Sequence, residues 1–164
     1  MSSLIETGAA IAREAGALLA DYHRRGIGFR LKGAFDLVTE ADLASEKLIT
    51  DRLRGCFPGH SIAAEEGGVQ LGASDYCWYV DPLDGTTNFA HGFPAFCVSL
   101  GLEKAGKLVA GVIYDPLRDE LFTAELGSGA WLNGERIHVS RAARLMDCLV
   151  ATGFPNRNRH KSIN

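Results

Sequence analysis

Between residues 59 and 139 glycines and turn dipeptides recur too closely for a helix to survive them, so this stretch has to fold as short strands. Ala105-Gly106 and Asn133-Gly134 each separate apolar runs and read as tight hairpin turns. The spacing predicts strands at 61–65, 76–81, 95–103, 107–114, 120–124, 129–132 and 136–139, with one more at 149–154. Upstream the period changes. Ile5, Ile11, Ala12, Ala15, Leu18, Leu19 and Tyr22 recur at helical spacing, which predicts an amphipathic helix over 3–25 ended by Gly26 and Gly28. Residues 29–32 suit a short strand. A second helix is expected from a cap at Thr39 through Leu53, stopped by Gly55 and Pro58. Two helices followed by mainly antiparallel strands define an α+β class, with both helices covering one sheet face. Residues 1–155 form the expected N-terminal domain, and 156–164, polar and basic, read as a tail at a truncation point.

Composition narrows the function classes. Apolar residues make up 46% of the 164 and charged residues 23%, as in soluble globular proteins. No apolar run approaches the roughly 18 residues of a spanning helix. A secretory signal is not expected either, since Met1 to Glu6 lack a basic region followed by an apolar core. A net charge of -3 without a basic block disfavours nucleic acid as a partner. Cys56, Cys77, Cys97 and Cys148 form no Cys-x-x-Cys pair and are expected as reduced, mostly buried thiols in a cytoplasmic protein. His23, His60, His138 and His160 are expected at the surface, whereas His91 either touches a substrate or closes a loop.

The chemistry concentrates in residues 78–91, Trp-Tyr-Val-Asp-Pro-Leu-Asp-Gly-Thr-Thr-Asn-Phe-Ala-His. Asp81 and Asp84 flank a stiff Pro-Leu pair at the end of an apolar strand, and Gly85-Thr86-Thr87 follows as a helix entry. Hard cations such as magnesium take oxygen ligands, and a helix start offers backbone N–H groups to an anion. Glu65-Glu66-Gly67-Gly68 taken alone is a solvated turn, and so is Asp-Pro-x-Asp-Gly. If the two strands are neighbours, Glu65 and Asp81 can converge on one cation while Asp81 and Asp84 share a second, an arrangement that clamps a phosphoryl group in an in-line displacement. The Thr86 hydroxyl could then orient a water, with Asp42 accepting its proton, although Asp42 by itself reads as a first-turn acid favoured by the helix dipole. Lys32 could neutralise phosphate charge.

These residues resemble the inositol monophosphatase family of magnesium-dependent, lithium-sensitive phosphatases. The resemblance rests on residues 78–91, on Glu65-Glu66 before them and on Asp-Leu-Val-Thr-Glu-Ala-Asp at 36–42, in that family's order. It implies that Glu65, Asp81 and the Leu83 carbonyl bind a first Mg2+ and that Asp81 and Asp84 bind a second. It further implies that Gly85 and Thr86 offer N–H groups to phosphate, that Thr86 with Asp42 prepares the attacking water, which Glu65 also positions, and that Asp84 also meets a substrate hydroxyl. The fold implied is the first half of an α/β/α/β/α sandwich, commonly dimeric. The activity implied is hydrolysis of inositol monophosphate or a related small polyol phosphate. Alternatives are a fructose-1,6-bisphosphatase-like or nucleotide 3'-phosphatase activity, or a non-catalytic role as a transcription antitermination partner.

The family's Trp-Asp-x-Ala-Gly element does not occur in the sequence, where Trp78 precedes Tyr79 and Trp131 precedes Leu132. Its aspartate would complete the second metal site. One carboxylate about 4 Å from a unit charge contributes on the order of 4 kcal/mol at an effective dielectric of about 20. Losing half of that weakens a cation roughly thirtyfold. The chain by itself is therefore expected to turn over feebly, and to expose a sheet edge and an apolar face that favour dimerisation.

Overall fold

The computed structural model describes residues 3–26, 29–33 and 36–151, and for residues 3 and 29–38 the backbone alone. Helix α1, Ser3–Arg25, is followed by a two-stranded antiparallel hairpin of β1, Phe29–Gly33, and β2, Asp36–Thr39. Helix α2, Glu40–Cys56, starts at Thr39. The Thr39 hydroxyl and the Asp42 backbone and carboxylate cap one another reciprocally, a capping box that satisfies two backbone donors at once.

The remaining strands form one sheet in the order β10-β9-β8-β7-β6-β5-β3-β4. They are β3, Ser61–Ala64; β4, Gly68–Gln70; β5, Tyr76–Asp84; β6, Cys97–Lys104; β7, Lys107–Asp115; β8, Glu120–Glu125; β9, Gly129–Leu132; and β10, Glu135–Ile137. A short helix α3, Thr86–Ala90, leaves the end of β5, and a 3-10 turn occupies Leu145–Asp147. Every neighbouring pair is antiparallel except β3 and β5, which run parallel with Ala64 opposite Val80. The α+β class and the mainly antiparallel sheet follow the sequence pattern.

Helix α1 lies on β6, β7 and β8, and α2 on β5 and β3, so both cover one face. Alternation along β5 turns Trp78 and Val80 into the core beneath them, and Leu100 and Leu102 of β6 do the same. Two glycines let α1 approach this closely. A Cβ at Gly8 would stand 3.2 Å from the Trp78 ring, and one at Gly16 only 2.5 Å from that of Tyr114. The opposite face carries the exposed side chains of Tyr79, Leu108 and Ile113.

Several expectations are corrected. Residues 82–84 continue β5 through a register irregularity rather than forming a free turn, because Asp84 still pairs with Cys97. Residues 68–70 form β4 through pairing with β3, a strand that their own composition does not announce. Leu149 to Ala151 lie outside any strand, and the rest of the expected 149–154 strand, like the 156–164 tail, lies outside the described residues. The cysteines are free, but Cys56 and Cys148 are exposed and Cys77 and Cys97 only half-buried. His60 is no surface residue. It stacks between Phe57 and Tyr76 at ring-centroid distances of 4.9 and 4.7 Å and accepts the Trp78 Nε1–H at 3.1 Å. His23 packs on Phe89 and Phe96. His138 is exposed as expected, and His160 lies outside the described residues. Among the described residues no helix is long and apolar enough to cross a membrane.

The close approach at Gly16 has a measurable consequence. Gly16→Ala should lower the free energy of unfolding in urea by about 1–3 kcal/mol through overpacking, against a helix-propensity gain of about 1 kcal/mol. Gly55→Ala, where a Cβ meets nothing within 4 Å, is the control that should stay neutral or stabilise.

Candidate active site

The parallel pairing of β3 with β5 sets the site. Glu65 and Asp81 are the next residues after the paired Ala64 and Val80, and the Glu65 N–H still donates to the Val80 carbonyl at 3.1 Å. The two carboxylates therefore leave the sheet side by side. Asp81 is half-buried, and burial together with the nearby charges of Glu65 and Asp84 pushes its carboxyl up to about 7. Glu65 is close enough to hydrogen-bond it.

Beyond Asp81 strand β5 bends at its register irregularity through Pro82 and Leu83, both buried. The Leu83 N–H donates to Asp81 Oδ1 at 3.1 Å, and the Ser45 hydroxyl of α2 donates to the Pro82 carbonyl at 2.8 Å. The bend is thus fixed from both sides. Asp84 is exposed, with its Oδ2 3.7 Å from Cys97 Sγ across the sheet. That thiol is pushed up to about 12 by burial and by the adjoining Asp84 charge, so it stays protonated.

Gly85 caps α3 with φ of 94°, a left-handed conformation that glycine adopts without strain, and a Cβ there would also lie 2.9 Å from the Ala95 carbonyl. Thr86 begins α3. Its hydroxyl lies 3.0 Å from the Leu83 carbonyl and 3.2 Å from Asp42 Oδ1. Asp42 is 3% exposed, and its other oxygen takes part in the capping box. Asp42 thus closes the start of α2 and faces Thr86. His91 follows the end of α3, with Nδ1 2.8 Å from the Thr87 carbonyl.

The donors that converge are oxygens, and like charges crowd Asp81, which is the electrostatic setting a divalent cation relieves. The residues thus fit a hard cation. Among the described residues no group of three or more His, Cys, Asp or Glu side chains is placed to hold a metal ion. The assignment of phosphate contact to Lys32 lies outside the description, because only the backbone of that residue, in β1, is described. The sequence reading missed Ser45 and Glu46. The available signal was polar side chains at 42, 45 and 46, one helical face that is buried rather than solvated.

The raised Asp81 carboxyl fixes the sign of a pH effect. Between its ordinary 3.8 and about 7 the folded chain keeps a proton that the unfolded chain releases, so this group's contribution to stability declines as pH rises through that window. Urea unfolding in EDTA at pH 5 and pH 8 should show wild type losing stability relative to Asp81→Asn as pH rises. Parallel profiles for the two proteins would contradict the crowding of Asp81.

Known proteins similar to this chain share one family. The inositol monophosphatase family pattern matches residues 1–164. Inositol monophosphatase 2 of Solanum lycopersicum is 44% identical over an alignment of 169 residues, which takes in 99% of this chain and 63% of that protein. The Nus factor SuhB of Pseudomonas aeruginosa is 44% identical over 163 residues, 96% of this chain and 60% of its own length. The crystal structure of the extragenic suppressor protein suhB from Bartonella henselae superposes with a TM-score of 0.91 at 44% identity, covering 97% of this chain and 63% of that one. The chain spans about 60% of the length of these curated relatives. By sequence and by fold it belongs to the inositol monophosphatase family, whose members are generally metal-dependent.

Proposed function

We propose that this chain carries the metal- and phosphate-binding residues of a magnesium-dependent phosphomonoesterase acting on inositol monophosphate or a related small polyol phosphate. The observation that carries the reading is the parallel β3–β5 pairing, which sets Glu65 beside Asp81 with Asp84 charging the same space. Membership of the family and the names of its inositol monophosphatases support the substrate class. Bound magnesium supplies neutralisation of the phosphate and a lower cost for deprotonating water. Glu65, Asp81 and the Leu83 carbonyl would hold one ion, and Asp81 with Asp84 a second. Thr86, donating to Asp42, turns its oxygen lone pairs outward and orients the attacking water as an acceptor. The N–H groups of Gly85 and Thr86, at the first turn of α3, take phosphate oxygens, with Lys32 adding positive charge. Asp84 also receives a substrate hydroxyl.

With Glu65, Asp81 and Asp84 as its carboxylates, turnover by the chain by itself is weak, so binding is the primary readout. Calorimetry should show inositol 1-phosphate binding only with Mg2+ present, and Asp84→Asn should abolish it while leaving the fold intact. Binding that persists in EDTA or in Asp84→Asn overturns the reading. Where phosphate release is measurable, Thr86→Ala should lower it by about 10²–10⁴-fold, the usual contribution of positioned proton transfer.

A second reading is favoured by the similarity to proteins named Nus factor SuhB, which suggests a partner in transcription antitermination. If the role is interaction alone, association with that machinery is unchanged in Asp81→Asn.

A further inference from the structure

Beside Asp42 and Ser45, α2 buries two more polar side chains, Glu46 and Thr50, and of these Glu46 carries a charge. Glu46 is 9% exposed, and its Oε2 accepts the Glu66 N–H at 2.8 Å across 20 residues of sequence. Its Oε1 faces Gly67, where a Cβ would stand only 2.6 Å away. Gly67 is not among the glycines with positive φ, so its backbone does not demand glycine, and a methyl group there would have to move the Glu46 carboxylate. Consecutive N–H groups are therefore pinned from opposite sides, Glu65 by the Val80 carbonyl of the sheet and Glu66 by the helix. Fixing both peptide planes around Glu65 fixes the direction in which its side chain leaves the backbone.

We propose that Glu46 is a positioning residue that aims the Glu65 carboxylate at Asp81 by anchoring the Glu65–Gly67 turn to α2. This rests on the reading of Glu65 and Asp81 as cation ligands. Packing alone does not explain a carboxylate here. A buried carboxylate is expensive unless it is hydrogen-bonded, and the Glu66 N–H meets that need here. A charged acceptor makes the stronger and shorter bond to a backbone N–H, which suits an anchor.

The test uses the full chain with Mg2+ alone as the probe, reading its dissociation constant by calorimetry and the metal-free unfolding midpoint in EDTA. Glu46→Ala should weaken Mg2+ by about 10- to 100-fold, the range of losses when a partner behind a metal ligand is removed. Glu46→Gln, which keeps an acceptor oxygen, should restore most of the affinity. Gly67→Ala should weaken Mg2+ as well, because its methyl group displaces the carboxylate, yet add little once Glu46 is already alanine. Leu53→Ala, a buried core residue of the same helix, should lower the midpoint without changing Mg2+ affinity. If Glu65→Gln loses Mg2+ while Glu46→Ala binds it like wild type, or if the Gly67→Ala and Glu46→Ala losses simply add, Glu46 is no positioning residue. If wild type does not bind Mg2+, or Glu65→Gln binds it unchanged, the ligand reading itself fails and takes this inference with it.

Discussion

The parallel register between β3 and β5 is the constraint from which the site follows. In an otherwise antiparallel sheet, this pair ends its strands at the same edge, so the residues that follow each strand emerge together. An antiparallel pairing would have sent Glu65 to the far end of β5. Side-by-side emergence is also what makes Asp81 expensive to ionise, since burial and a neighbouring carboxylate both oppose its charge. The electrostatic cost and the capacity for a cation are one property of the same geometry.

Helix α2 fixes that geometry from behind. Asp42 faces Thr86, Ser45 holds the Pro82 carbonyl, and Glu46 holds the Glu66 N–H, so the end of β5, the start of α3 and the turn after β3 are all tied to one face of one helix. The helix has an apolar stripe of Ala41, Ile49 and Leu53 packed in the core, and the polar face continues it toward the sheet edge. Burial of hydroxyl and carboxylate groups is tolerable here because each finds a backbone or side-chain partner. The same helix also crosslinks to α1 through a bidentate Arg52–Glu14 pair, with contacts of 2.9 and 2.6 Å. That pair is exposed and contributes little beside the core.

Much of this was legible in the residues themselves. The 3.6-residue period gave α1 its bounds, Thr39 marked the cap of α2, and the glycine-bearing turns marked the hairpins, because each signal is local. Glu65, Asp81 and Asp84 were legible as acids at strand ends. What escaped depends on distant partners. Strand β4 exists because β3 offers it a ladder, and β5 runs on past Pro82 because Asp84 finds Cys97 across the sheet. Ser45 and Glu46 look like ordinary helix-surface residues until the backbone atoms they grip, 37 and 20 residues away, are brought to them. His60 likewise depends on the rings of Phe57 and Tyr76 closing around it.

The three grips of α2 also restrict how its segment can vary in length. Each residue advances a helix by about 100°, so one inserted or deleted position between the cap and Asp42 swings all three polar side chains away from their loops together. Substitutions along the outer side of α2, such as at Lys47 or Asp51, leave that phasing alone. Lineages of this fold should therefore tolerate drift in the composition of the helix far more readily than a single-codon gain or loss near its start.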